Sequence, residues 1–183
     1  MMKSIFLFLC MAVSAAMLGQ NEASNGLQTQ LVEAWVNGAW QNSQKGTFTT
    51  NDDGYIANVL FEQWNVGTST WEVNSQVNFT SEGNTQISTN QNWNGENWIN
   101  TSRTTYFYSD GNALAESSIL QSWSNGAWQN LQQTTNTYNT EGNLTHVLTE
   151  TWHAESNSWD NYIQQNHSLN VLEHYQRVPL SML

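Results

Sequence analysis

Trp123-Ser124-Asn125-Gly126-Ala127-Trp128 reads as one tight β-hairpin. Asn-Gly is a strong signal for a two-residue type I′ turn, because both central residues need positive φ and Asn and Gly tolerate it best. With Asn125 and Gly126 in the turn, Ser124 faces Ala127 as the hydrogen-bonded pair. Trp123 then faces Trp128 at the next, non-hydrogen-bonded pair, where side chains come closest. A cross-strand aromatic pair adds up to about 1 kcal/mol over alanines.

The same arrangement recurs along the chain. Trp35-Val36-Asn37-Gly38-Ala39-Trp40 is a near copy, and Trp93-Asn94-Gly95-Glu96-Asn97-Trp98 keeps the spacing with the glycine moved by one place. Trp64 to Trp71 and Trp152 to Trp159 carry a loop two residues longer. The leading tryptophans fall at 35, 64, 93, 123 and 152, a period of 29 or 30, and these five pairs use all 10 tryptophans of the chain. Self-similarity at a fixed period of this size marks a repeat architecture.

Each unit holds a strand running into the Trp pair, a strand leaving it, and a second turn. That second turn carries an acid and a glycine: Asp53-Gly54, Glu82-Gly83, Asp110-Gly111 and Glu141-Gly142. Glycine supplies the positive φ there. Calcium wants six to eight oxygens, more than one carboxylate per turn provides, so no metal is expected. The segments between turns are rich in Thr, Val, Ile, Tyr, Phe and Trp and show no helical period. The expected fold is all-β: an up-and-down antiparallel meander of about ten strands, built from five Trp-clamped hairpins in an elongated, twisted sheet.

Simple alternation predicts the faces. Stepping back by twos from Trp123 gives Gln121 and Ile119; the matching pairs are Glu33 and Leu31, Glu62 and Leu60, Gln91 and Thr89, and Glu150 and Leu148. On the outgoing strands Asn42, Asn100, Asn130 and Asn161 lie two after the second tryptophan, with Val73 the exception. Gln121 should face Asn130, and Glu33 should face Asn42. Carried further, alternation puts Phe48, Phe79, Tyr106 and Tyr138 on the Trp face. It puts Val32, Ala34, Phe61, Phe107, Leu120 and Leu131 on the other, leaving neither face cleanly apolar.

Lys3, the apolar run Ile5 to Met11 and the small residues from Val13 to Ala16 read as a secretory signal over residues 1–19. Residues 20–26 are a polar lead-in, 27–170 the repeat domain, and 171–183 an irregular tail with the only proline, Pro179. Cys10 lies inside the signal, so the mature chain is expected to hold no disulfide. No later segment is apolar enough to span a membrane as a helix. Four basic residues against 15 acids give a net charge of −11, which disfavours nucleic acid and anionic membranes as partners. A lipid-facing barrel is disfavoured too, because residues 129–138 are polar on both alternations.

A wider pattern follows the Trp pairs: W-x-N-G-x-W, as in Trp123 to Trp128, then a Thr-rich strand ending in an aromatic, then an acidic-Gly-Asn turn, best matched from Trp128 through Tyr138 to Glu141-Gly142-Asn143-Leu144-Thr145. It resembles the YD/RHS-like repeats of secreted bacterial proteins, and in particular a Trp-rich branch often associated with type IX secretion sorting domains. The resemblance covers about residues 27–170. It implies an extracellular β-hairpin array with no common catalytic residues.

Function is therefore expected to be structural or adhesive and non-enzymatic, at the cell exterior or secreted, with no cofactor. The alternative is a glycan-binding surface in which Trp35, Trp40, Trp64, Trp71, Trp93, Trp98, Trp123, Trp128, Trp152 and Trp159 stack on sugar faces. The partner would be a protein or a glycan, and open sheet edges leave self-association available. Glu33, Glu62 and Glu150 occupy equivalent repeat positions, which suits a ladder better than the single asymmetric carboxylate pair of a glycosidase. His146, His153, His167 and His174 form no close-spaced ligand motif and read as surface residues.

Overall fold

The computed structural model describes residues 28–109 and 113–168. The segments expected to be the signal (1–19), the polar lead-in (20–26) and the irregular tail (171–183), together with the turn residues Asp110, Gly111 and Asn112, lie outside them. Ten strands form one antiparallel sheet in sequence order. Five incoming strands are β1 (Thr29–Val36), β3 (Ile56–Asn65), β5 (Thr85–Trp93), β7 (Ala115–Ser124) and β9 (Leu144–His153). Five outgoing strands are β2 (Ala39–Thr50), β4 (Thr70–Glu82), β6 (Trp98–Tyr108), β8 (Ala127–Tyr138) and β10 (Ser158–Asn166). Among the described residues the sheet is open, with β1 and β10 as its two edges. This is the expected up-and-down meander.

The turns follow from local chemistry. Asn37-Gly38 (φ 51° and 85°) and Asn125-Gly126 (φ 52° and 77°) take positive φ at both central positions, as type I′ requires. The longer Trp64–Trp71 loop is folded by Asn65, whose Oδ1 accepts from the amides of Gly67 (2.8 Å) and Thr68 (3.3 Å). In the Trp93 loop Asn94 Oδ1 accepts from Glu96 (3.0 Å) and Asn97 (2.8 Å). At the other end of the sheet Gly54, Gly83 and Gly142 all hold positive φ, and Asn139 Oδ1 accepts from the amides of Glu141 and Asn143. These Asn-centred bonds replace the ladder where the chain reverses.

One device, absent from simple alternation, sets the faces. Each outgoing strand carries an extra, unpaired residue three positions after its tryptophan. Gln121 faces Asn130 but Leu120 faces Gln132, so Leu131 is extra. Ser43, Asn74, Thr101 and Tyr162 occupy the same place in the other hairpins. A β-bulge of this kind puts two residues against one and resets parity beyond it.

The bulges correct the expected faces. Phe48 pairs with Val59, Phe79 with Ser88, and Tyr106 with Ser118, all away from the tryptophans. Tyr138 likewise pairs with Leu144 on that side. Phe107, expected there, pairs with Thr85 on the Trp face instead. The far face therefore gathers Phe48, Phe61, Phe79, Tyr106, Tyr108 and Tyr138 across the sheet.

That face is where burial concentrates. Gly46, Val59, Gln86 and Ser88 are the buried residues among those described, and all four lie on it. Gly46 sits under two rings, and a Cβ there would meet Phe48 and Phe61 at 3.7 Å. Val59, 1% exposed, is the one buried hydrophobic side chain among the described residues. A single layer of sheet has no second layer to cover it, so ladder hydrogen bonds and cross-strand pairs carry much of the stability.

The far-face tyrosines are held neutral. Tyr106, Tyr108 and Tyr138 are all raised above the usual phenol value, first by burial. At Tyr108 the neighbouring Tyr106 and Tyr138 add to the effect, and Glu116 adds to it at Tyr138. A raised folded-state pKa contributes stability that is intact below the unfolded value near 10 and is lost as pH climbs through the folded value. We expect an alkaline titration by ultraviolet difference absorbance to show a late-ionising group of tyrosines. Sheet circular dichroism should fall as that group ionises.

Candidate functional site

The Trp face carries two parallel features, a row of aromatic pairs and a ladder of polar side chains. All five Trp pairs form as expected, at register positions Trp35↔Trp40, Trp64↔Trp71, Trp93↔Trp98, Trp123↔Trp128 and Trp152↔Trp159. Ring centroids are 4.9–5.2 Å apart and interplanar angles 59–70°. This edge-to-face packing is the preferred aromatic geometry, worth about 0.5–1.5 kcal/mol beyond burial. None of the ten rings is buried. Trp35 and Trp40 are 61% and 65% exposed, and most of the others are intermediate.

The ladder arises where hairpins meet. Lys45, Gln76, Arg103 and Gln133 each lie five residues after a tryptophan, counting through the bulge. Each faces the residue two before the next hairpin's leading tryptophan: Glu62, Gln91, Gln121 and Glu150 respectively. Every one of these junctions is bonded. Lys45 Nζ pairs with Glu62, Gln76 Nε2 donates to Gln91 Oε1 (2.7 Å), Arg103 Nε donates to Gln121 Oε1 (2.6 Å), and Gln133 Nε2 donates to Glu150.

The glutamines then pass the chain of bonds on. Gln91 Nε2 donates to Asn100 Oδ1 and Gln121 Nε2 to Asn130 Oδ1, both at 2.8 Å. Asn58 joins Gln76 and Asn78 to the same network. The two cations also cover rings: Lys45 Nζ lies 5.2 Å from the Trp71 centroid and the Arg103 guanidinium 4.7 Å from Trp128. Such cation–π contacts are worth about 0.5–1 kcal/mol where exposed.

Glu62 and Glu150, considered as carboxylates for catalysis, are thus engaged as ladder acceptors. Glu33 faces Asn42 as expected, at the sheet edge. His153 lies 3.3 Å from Asp160 at an exposed position. His146 and His167 are elsewhere on the last hairpin, and His174 lies outside the described residues. The ladder donors were missed in sequence because straight alternation places them on the wrong face.

The row of tryptophans is stepped. Gln44, four after Trp40, pairs with Gln63, one before Trp64. Taking out the bulge residue leaves three paired positions on β2 against one on β3, an offset of two residues at that junction, and the same offset recurs at the other three. Two strand spacings across and two residues along place successive Trp pairs about 12 Å apart, against about 10 Å for an unstepped row.

No protein-family model matches the chain, and no curated protein matches it. Among solved structures the chain is similar to a Bacteroides fragilis protein of unknown function, with TM-score 0.61 and 12% identity over 68% of this chain and 92% of that one. Weaker similarity extends to two DUF3836 family proteins, from Bacteroides vulgatus (TM-score 0.40, 16% identity, 45% of this chain and 87% of that one) and Parabacteroides distasonis (0.35, 15%, 40% and 74%). The first likeness supports the fold and is silent on activity.

Proposed function

We propose that the chain is a secreted or cell-surface repeat protein with a non-enzymatic structural or adhesive role, of YD/RHS-like character. The observation that carries this reading is the repetition of the functional face itself. Its tryptophans, cations and amides recur at equivalent positions in successive hairpins, over a row of about 50 Å, instead of converging on one point. A surface of that kind suits extended contact with a neighbouring molecule. In this reading the Trp pairs are clamps, consistent with their edge-to-face geometry.

A second reading, glycan binding, is favoured by one specific observation: Trp35 and Trp40 are each more than half exposed. The step of the row bears on it, since a glycan must repeat near 12 Å to meet successive pairs.

Titrating the mature chain (residues 20–183) with soluble polysaccharides, read by tryptophan fluorescence, separates the two. The structural reading expects no saturable change with any polysaccharide. It also expects Trp123→Ala with Trp128→Ala to lower stability by about 3–5 kcal/mol, the usual cost of removing large packed aromatics. Saturable quenching by one glycan, lost in Trp35→Ala with Trp40→Ala while circular dichroism is unchanged, would establish the glycan reading instead.

A further inference from the structure

We infer that the free edge of β10 is shaped to receive the free edge of β1 from a second copy of the chain, so that the sheet continues head to tail. The argument starts from a regularity. At all four junctions between hairpins the residue five after a tryptophan meets the residue two before the next leading tryptophan, in the same register, with a donor on the first side and an acceptor on the second.

The same positions exist once more at the two edges. Among the described residues, Gln164, five after Trp159, stands on β10 with no strand beyond it, and Glu33, two before Trp35, stands on β1 with no strand before it. Applying the common register sets Gln164 against Glu33 of the second copy and Ile163 against its Ala34. A glutamine donating to a glutamate is the chemistry of Gln133 and Glu150 inside the chain.

Exposure agrees. Trp71 and Trp128 are shielded by the ladder cation of the preceding hairpin. Trp40 has no preceding hairpin among the described residues and is 65% exposed. In a head-to-tail pair Gln164 would occupy the covering position. Ile163 (46%) and Leu31 (52%) are exposed at the same edges. Natural sheets usually blunt open edges with lysine or proline. β1 and β10 contain neither, and each carries a single acid.

The contact is heterologous and does not close on itself, so it builds chains rather than dimers. It is also modest. The β10 side offers Ile163–Asn166, four strand residues, where junctions within the chain pair seven or eight. Association should therefore depend on concentration. It should strengthen with salt, which screens repulsion between copies of so acidic a chain.

Sedimentation velocity on the mature chain across a concentration series tests this. The expected result is a mass that grows past dimer. Gln164→Glu, which opposes two carboxylates, should raise the concentration of onset by about tenfold or more. Adding Glu33→Gln to that variant should restore it, and Gln164→Lys alone should lower the onset about two- to fivefold, copying Lys45 and Glu62. Three results overturn the inference. One is a monomer up to about 1 mM, including one in which residues 20–27 or 169–183 occupy the edge. The second is growth that stops at dimer, as a two-fold pairing of like edges would give. The third is association indifferent to Gln164→Glu.

Discussion

Deleting Thr105 should unfold the centre of the sheet, whereas deleting Thr101, four residues earlier on β6, should leave it folded. Removing one residue from the middle of a strand ordinarily sends every side chain beyond it to the opposite face. Thr101 is the exception because it is the unpaired bulge residue: Asn100 faces Gln91 and Ser102 faces Asn90 with nothing opposite Thr101. Its loss straightens the strand and keeps every partner. The cost is the bond from Thr101 Oγ1 to the Asn90 carbonyl (3.1 Å) and some local twist, about 1 kcal/mol.

Thr105 pairs with Ile87 on one side and Ile119 on the other, and its loss leaves two poor choices. If the bulge stays, Tyr106 and Tyr108 swing onto the Trp face. If the bulge is sacrificed to save them, Arg103 turns toward the far face, away from Gln121 and Trp128. Either choice should cost about 3–5 kcal/mol, a large share of the 5–15 kcal/mol that holds a typical domain. Urea denaturation followed by circular dichroism would show it. Equal destabilisation by the two deletions would mean that the bulge at Thr101 is not present in solution.

Val59→Asp should have the largest effect of any single substitution in the described sheet. Val59 lies between Phe48 on β2 and Val77 on β4, on the face where burial concentrates, and is itself 1% exposed. A carboxylate there has no cation: Lys45, the ladder cation nearest in sequence, is on the other face with Glu62. An unpaired buried charge costs several kcal/mol. The expected result is loss of cooperative unfolding at neutral pH, with partial recovery in acid as the new group takes up a proton. Val59→Ala, which only removes volume, should stay folded and lose about 1–3 kcal/mol. A Val59→Asp chain that unfolds cooperatively with near-native stability would show that the far face is wet.

What could be read from sequence was whatever depends on short-range geometry. Asn125-Gly126 fixes its own turn, the turn fixes Trp123 against Trp128, and two more residues fix Gln121 against Asn130. The reading failed three residues beyond Trp128, where Leu131 steps out of the ladder. Nothing in the side chains announces the step, since Ser43, Asn74, Thr101, Leu131 and Tyr162 share no chemistry. The usable signal was one of length. Outgoing strands run 11 to 13 residues through β8 while their incoming partners run 8 to 10, and pairing must lose the surplus somewhere. With that one correction Phe48, Phe79, Tyr106 and Tyr138 move to the face of Val59. The column of Lys45, Gln76, Arg103, Gln133 and Gln164 then appears beside the tryptophans.

The register that the ladder positions share at every junction has a genetic consequence. A recombination event that drops or duplicates one 29- or 30-residue unit joins an outgoing strand to an incoming strand of a kind it already fits. The donor arrives opposite an acceptor, the offset is the usual two residues, and neither turn is altered. Reach can thus be inherited as a copy number, adjusted in whole hairpins without any new contact having to be invented.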